Sequence, residues 1–427
     1  MRNRLTPALV AAAVLLLAGA CTSAGGTAGT VTIGAIYPTS GRQGPGGTEE
    51  ANGARLAVEY ANDHGGVKGR KIRLDAVNVD NGGNAPSAMA QLRRRGVDLV
   101  IGSYGSTISA PAAVAAQRQG MLLWETGAVG EVSPAGAGAG ESFFRMAPMG
   151  AGLGRAAVGF VRDQLRPLLA APSPPGAGLR YAVAYVDDAY GRAVGLGAVE
   201  EIERSGQALV GTFPYDVRTL DAAAVVRAIA AAQPDVLFVS AYLDDGIALR
   251  RETVAQGVPL RASIGTSSSY CMPSFAHALG PAATGLFASD KPDAAELRLD
   301  ALAAPAQAIL RWARATYEKR WREPMSPAAL AGFANTWALV GHVLPAAPGL
   351  APAQVAATAR NLKLAPGTLP NGAGMDFAGP RELGAGENRA AVSVIWQWVD
   401  PKTQAVVWPP SFATRPLRFI PILTAAP

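Results

Sequence analysis

The chain has 427 residues, 49% of them hydrophobic and 16% charged, with a formal charge of +6. That length exceeds one ordinary single-core domain and suits two lobes, and the composition excludes an intrinsically disordered chain. The longest basic run, Arg93-Arg94-Arg95, closes a predicted helix, where cations suit the dipole. With no Lys/Arg stripe interleaved with aromatics, no nucleic-acid partner is implied.

In chain order, the first element is a targeting segment. Arg2 and Arg4 form a short basic region, and residues 8–17 are an apolar run too short for a permanent membrane helix, which needs about 20 residues. Leu17-Ala18-Gly19-Ala20 then precedes Cys21. Small residues before a cleavage point mark a secretory signal over residues 1–20, and the Cys that follows resembles a lipobox, which would place a lipid on Cys21. Residues 21–30 hold little but Ser, Thr, Gly and Ala and read as a flexible tether. The only other cysteine is Cys271, and His64, His277 and His342 are far apart in the chain. No disulfide framework, metal site or cofactor is expected.

From Val31 short apolar runs alternate with helical spacing. Strands are predicted at 31–37, 72–80, 99–102 and 121–124, with helices at 50–62, 85–95 and 110–119. A Pro/Gly/Ala-rich loop at 171–178 precedes a second series, with strands at 181–186, 209–213, 236–241 and 262–265 and helices between them. Helical stretches at 306–322, 328–344 and 353–362 lead to a strand pair near 392–398 and 405–408. Two β-α-β series predict an α/β fold of two Rossmann-like lobes with parallel sheets. Ligands of such sheets bind beyond the carboxyl ends of the strands, which puts the site between the lobes.

Several segments resemble the type I periplasmic solute-binding family, the leucine/isoleucine/valine and amide binders. They are Asn52 to Asn62, the turn Gly65-Gly66-Val67-Lys68-Gly69-Arg70, and a strand ending at Asp80. Val100-Ile101-Gly102 with Ser106, Thr107 and Pro111, then Gly127-Ala128, then Asp187-Asp188-Ala189-Tyr190-Gly191, follow in order. The likeness runs over residues 31–407. It implies three interlobe crossings, near Met146, Ala288 and Phe377. Lobe one would hold 31–146 and 289–377, and lobe two 147–288 and 378–427.

The resemblance also suggests ligand contacts. Ser106, with Thr107 beside it, leaves a strand and enters a helix. A hydroxyl and N–H groups there suit a carboxylate or carbonyl oxygen, though plain N-capping is the alternative. Gly127 and Ala128 would let a ligand approach the backbone, and Trp124 and Glu125 sit just upstream. Glu125 either faces the cleft or pairs at the strand end. Tyr190 would lie over an apolar part of the ligand, unless it is a surface tyrosine at its helix start, and Tyr242 comes from the same rim. Asp244 and Asp245 read as helix caps that could also serve a ligand ammonium.

Two departures bear on the ligand. Amino-acid binders carry an acid after the strand matching 262–265, whereas this chain has Thr266-Ser267-Ser268-Ser269-Tyr270, from which Ser267 is taken as a contact. The family's first-lobe Tyr is replaced near Gly46, in what reads as a Gly-rich loop. A small organic solute other than an α-amino acid is expected, such as an aromatic or short-chain acid or an amide.

No G-x-S-x-G, H-E-x-x-H, C-x-x-C or P-loop pattern suggests an enzyme. The resemblance implies an extracytoplasmic lipoprotein that passes its solute, an amino acid, an amide, or an aromatic or short-chain acid, to an ABC transporter permease of the branched-chain amino-acid/amide type. A ligand-sensing protein on the same fold is the alternative.

Overall fold

Strands covered by helices on both sides are buried on both faces and read as unbroken apolar runs. Leu99–Gly102 and Val236–Ser240 are buried along their whole length for this reason. The computed structural model describes residues 29–131, 141–169, 178–266, 268–292, 297–382 and 384–424. Its first sheet contains β1 (Val31–Tyr37), β2 (Ile72–Asn78), β3 (Leu99–Gly102), β4 (Leu122–Glu125) and β5 (Phe143–Arg145) in the order β2-β1-β3-β4-β5, every pair parallel.

The second sheet contains β6 (Arg180–Val186), β7 (Ala208–Tyr215), β8 (Val236–Ser240), β9 (Ala262–Thr266), β10 (Phe287–Asp290), β11 (Val394–Asp400) and β12 (Thr403–Trp408). Its order is β12-β11-β10-β9-β8-β6-β7, and only β11 runs antiparallel to its neighbours. This is the two-lobed parallel α/β architecture that the alternating pattern predicts. β5 and β10, three and four residues long, are strands that the sequence analysis did not include.

Helix starts differ from the sequence reading in two places. Gly44-Pro45-Gly46-Gly47, expected as a loop, forms the first turn of the helix Gly44–Asp63. Proline suits that turn because its missing N–H has no intrahelical acceptor there. The helix expected at 110–119 begins at Ser106, so Ser106 and Thr107 are its first residues.

The lobes have separate cores. Ile33, Ile101, Trp124, Phe144, Met375 and Phe377 share one cluster in the first lobe. Val183, Phe238, Ile264, Phe287 and Ile395 share another in the second. Phe377, near which the third crossing was placed, packs edge-on against Trp124 and Phe144, with ring centroids 5.4 and 4.9 Å away. Val392, before β11 begins, packs against the cores of both lobes.

Two of the connecting segments are bound together. Arg145, fully buried at the end of β5, makes an ion pair with Glu387, and its guanidinium also donates to the Gly130 carbonyl. The backbones join as well: the Arg145 N–H donates to Gly386 O at 2.8 Å, and Asn388 N–H to Arg145 O at 3.0 Å.

Candidate functional site

The loops that leave β3 and β4 meet those that leave β6, β8, β9 and β10 around one cavity. This is where the fold predicts a ligand, beyond the carboxyl ends of facing sheets. The enclosed space is only about 10 Å³, room for roughly one water. The lobes are thus closed on one another, and a larger group enters only if they separate.

Tyrosines dominate the walls. Asp188 caps the helix Ala189–Arg204 by accepting from the N–H groups of Tyr190 and Gly191, both at 2.9 Å, which fixes Tyr190 in the first turn. The Tyr190 hydroxyl lies 2.7 Å from the Thr266 hydroxyl, and its ring centroid lies 5.3 Å from that of Tyr242. Tyr242 donates its hydroxyl to Asp188 at 2.8 Å. Both rings line the cavity and are buried, so Tyr190 is not a surface residue. The third ring, Tyr104, was not foreseen. It has a φ of 77°, uncommon for a residue with a side chain, and its hydroxyl donates to Ser268 of the other lobe at 3.1 Å. Burial pushes all three phenols above their ordinary range, so they remain protonated donors.

Tyr104 also accounts for the tyrosine missing near Gly46. A Cβ at Gly46 would fall 2.2 Å from the Tyr104 hydroxyl. The ring from the β3 loop fills the space that a side chain from the first helix turn would need.

Ser106 and Gly127 line the cavity. Ser106 Oγ accepts from the Gly130 N–H at 2.8 Å. Thr107 and Ala128 do not line it; Thr107 Oγ1 instead accepts from Gln43 Nε2 at 2.8 Å. Val129 contributes an apolar wall.

Glu125 takes neither expected role. Its carboxylate is fully buried and accepts from the N–H groups of Ser103, Gly127 and Ala128, each at 2.8 Å, and from the Ser109 hydroxyl. It ties the β3 and β4 loops together and occupies the N–H groups that Gly127 and Ala128 could have offered a ligand. Burial raises its pKa, and these four donors oppose the rise.

Trp124 turns into the core, where its indole donates to Asn335 O at 2.8 Å. It is not beside the cleft, because alternate residues of a strand face opposite sides. Asp245 accepts from the Tyr215 hydroxyl at 2.6 Å and from the Tyr242 N–H at 3.2 Å, in a reciprocal cap of the helix Leu243–Ala255. Ser267 and Cys21 lie outside the described residues.

Two charged groups were missed. Lys291 follows β10, lines the cavity, and donates to Gly127 O at 3.1 Å; the signal was a charged pair, Asp290-Lys291, directly after a crossing. Glu50 sits fully buried behind Gly127 and accepts from the Thr126 hydroxyl at 2.6 Å. Burial lifts its pKa to about 8; Lys291 opposes this and Glu125 reinforces it. Its signal was a glutamate on the apolar face of a predicted helix.

A protein-family model described as "Periplasmic binding protein" matches residues 30–392. Leu/Ile/Val-binding protein homolog 8 of Brucella abortus is 26% identical over 392 residues, which is 91% of this chain and 93% of that protein. Homolog 7 of Brucella melitensis is 28% identical over 269 residues, 62% of this chain and 64% of that one. Among solved structures, a leucine-binding protein of Thermotoga maritima superposes with a TM-score of 0.73 at 15% identity, covering 88% of this chain and 97% of that one. A solute-binding protein of R. palustris in complex with benzoate gives 0.70 at 15% identity, covering 91% and 97%.

Proposed function

Because this chain belongs to the periplasmic binding protein family, we propose that it captures a small organic solute between its lobes outside the cytoplasm and delivers it to an ABC importer. The observation that carries this reading is the convergence of both sheets' carboxyl-end loops on one cavity, walled by Tyr104, Tyr190 and Tyr242. Aromatic walls with a few placed polar groups suit a small ligand. The named relatives are binding proteins rather than enzymes, which supports a role in capture without chemistry.

The lobe built on β1–β5 moves against the lobe built on β6–β12, with the three connecting segments as the hinge. The targeting segment before Cys21 supports an extracytoplasmic, lipid-anchored protein rather than an internal ligand sensor. A thermal-shift screen of the mature protein tests the capture step, since a ligand at a hundredfold excess over Kd adds about 2.7 kcal/mol of stability. A library of small solutes that shifts nothing, together with unchanged X-ray scattering, would sink the reading. Normal uptake of the bound solute in a deletion strain would remove the transport role alone.

A further inference from the structure

Lys291 is the one charged side chain among the described residues that line the interlobe cavity. It is 6% exposed, so its ammonium meets little solvent. No acid is among the described residues that line the cavity, and the acids behind it hold partners of their own, although Glu50 Oε2 and Asp245 Oδ1 are buried without one. Glu125 is held by four donors, and Asp188 by two backbone N–H groups and the Tyr242 hydroxyl. Asp245 caps its helix, and the adjacent Asp290 engages the Cys271 thiol. Glu50 contributes little negative charge at neutral pH, since burial favours its protonated form. A second part of the cavity wall favours anions. Gly105 and Ser106, at the start of the 14-residue helix Ser106–Gln119, line the same cavity, and a helix N-terminus favours anions.

We propose that Lys291 is the anchor for a ligand carboxylate, and that the solute is a small acid with an apolar or aromatic body and no α-ammonium group. This deepens the solute-capture reading and rests on it. When the lobes open, the bond from Lys291 to Gly127 O is exchanged for a charge-assisted bond to the ligand, which is stronger than a neutral one. The Tyr104 hydroxyl and Ser268, released from each other on opening, supply further donors, while the tyrosine rings and Val129 cover the body. An α-amino acid brings an ammonium as well. Lys291 repels it, and no acid among the described residues lines the cavity to pair with it, so its burial leaves a charge uncompensated.

The test is calorimetry on the mature, lipid-free protein with matched probes that differ only in the charged group. Leucine, 4-methylpentanoate and 4-methylpentanamide share one skeleton. Phenylalanine, 3-phenylpropanoate and 3-phenylpropanamide form an aromatic set, and a range of short mono- and dicarboxylates extends it. The expected result is binding of acids, with the matched amino acids and amides weaker by at least about tenfold. Lys291→Gln is expected to lose about thirtyfold in affinity for the acid while keeping the circular dichroism of the parent. Lys291→Arg, which keeps the charge, should retain most of the binding should the Gln variant fold poorly.

Tighter binding of leucine or an amide than of its matched acid overturns the proposal, as does acid binding untouched by Lys291→Gln. Either result leaves solute capture standing. If none of these probes binds but another class of solute in a wider screen does, the ligand class falls alone. If nothing binds and the lobes never move, both fall.

Discussion

The Glu50 carboxylate fills the space that a side chain at Gly127 would need: a Cβ there would fall 1.9 Å from Glu50 Oε2. An acid from the first helix is thereby pressed against the backbone of the β4 loop, directly behind the cavity. Glycine at 127 is required by this close approach, and Glu50 is cut off from water by it.

That burial makes stability depend on pH. The ordinary carboxyl pKa near 4.5 is raised to about 8 in the folded protein. Between these values the folded state holds a proton that the unfolded chain has released. Stability from this group is therefore complete below about pH 4.5 and falls as pH rises to about 8. Urea midpoints measured at several pH values across this window should decline with pH, and Glu50→Gln should flatten that slope. Equal slopes in the two proteins would show that Glu50 titrates normally.

Tyr104→Phe removes only the hydroxyl that reaches Ser268 across the cleft. The closed form should weaken by about 1 kcal/mol, the net worth of a typical hydrogen bond. Small-angle scattering or an interlobe distance label should show a larger open fraction without ligand, at nearly unchanged melting temperature.

Tyr190→Ala should weaken solute binding by roughly 1–3 kcal/mol, as truncating a buried aromatic contact typically does. Calorimetry checks it. Unchanged affinity in a folded variant would remove Tyr190 from the site.

Arg145→Met tests the pair that joins two of the connecting segments. Glu387 is left without its partner, and breaking a buried pair from one side costs about 3–5 kcal/mol. The double variant Arg145→Met/Glu387→Leu should recover much of the loss. A single variant as stable as the parent would show that the pair does not secure the hinge.

Cys21→Ala should release the protein from the membrane fraction. Mass spectrometry of the parent should find lipid on Cys21. A soluble, unmodified parent would rule out the anchor.

The sequence by itself determined the parallel α/β lobes, the general position of the cleft, and Ser106, Gly127, Tyr190 and Tyr242 as parts of its wall. These are legible because apolar periodicity and turn chemistry are local, and because strand ends dictate where a cleft forms. Only the tertiary structure decided which way the remaining side chains turn. Trp124 belongs to the core because its strand register sends it there, and Glu125 is occupied because three N–H groups and a hydroxyl from neighbouring loops converge on it. Tyr104, Lys291 and Glu50 reach the cleft or lie behind it from three distant stretches of chain. Nothing near each one in sequence announces the others. Their shared cavity arises from close packing across two sheets, a non-local property that no single segment carries.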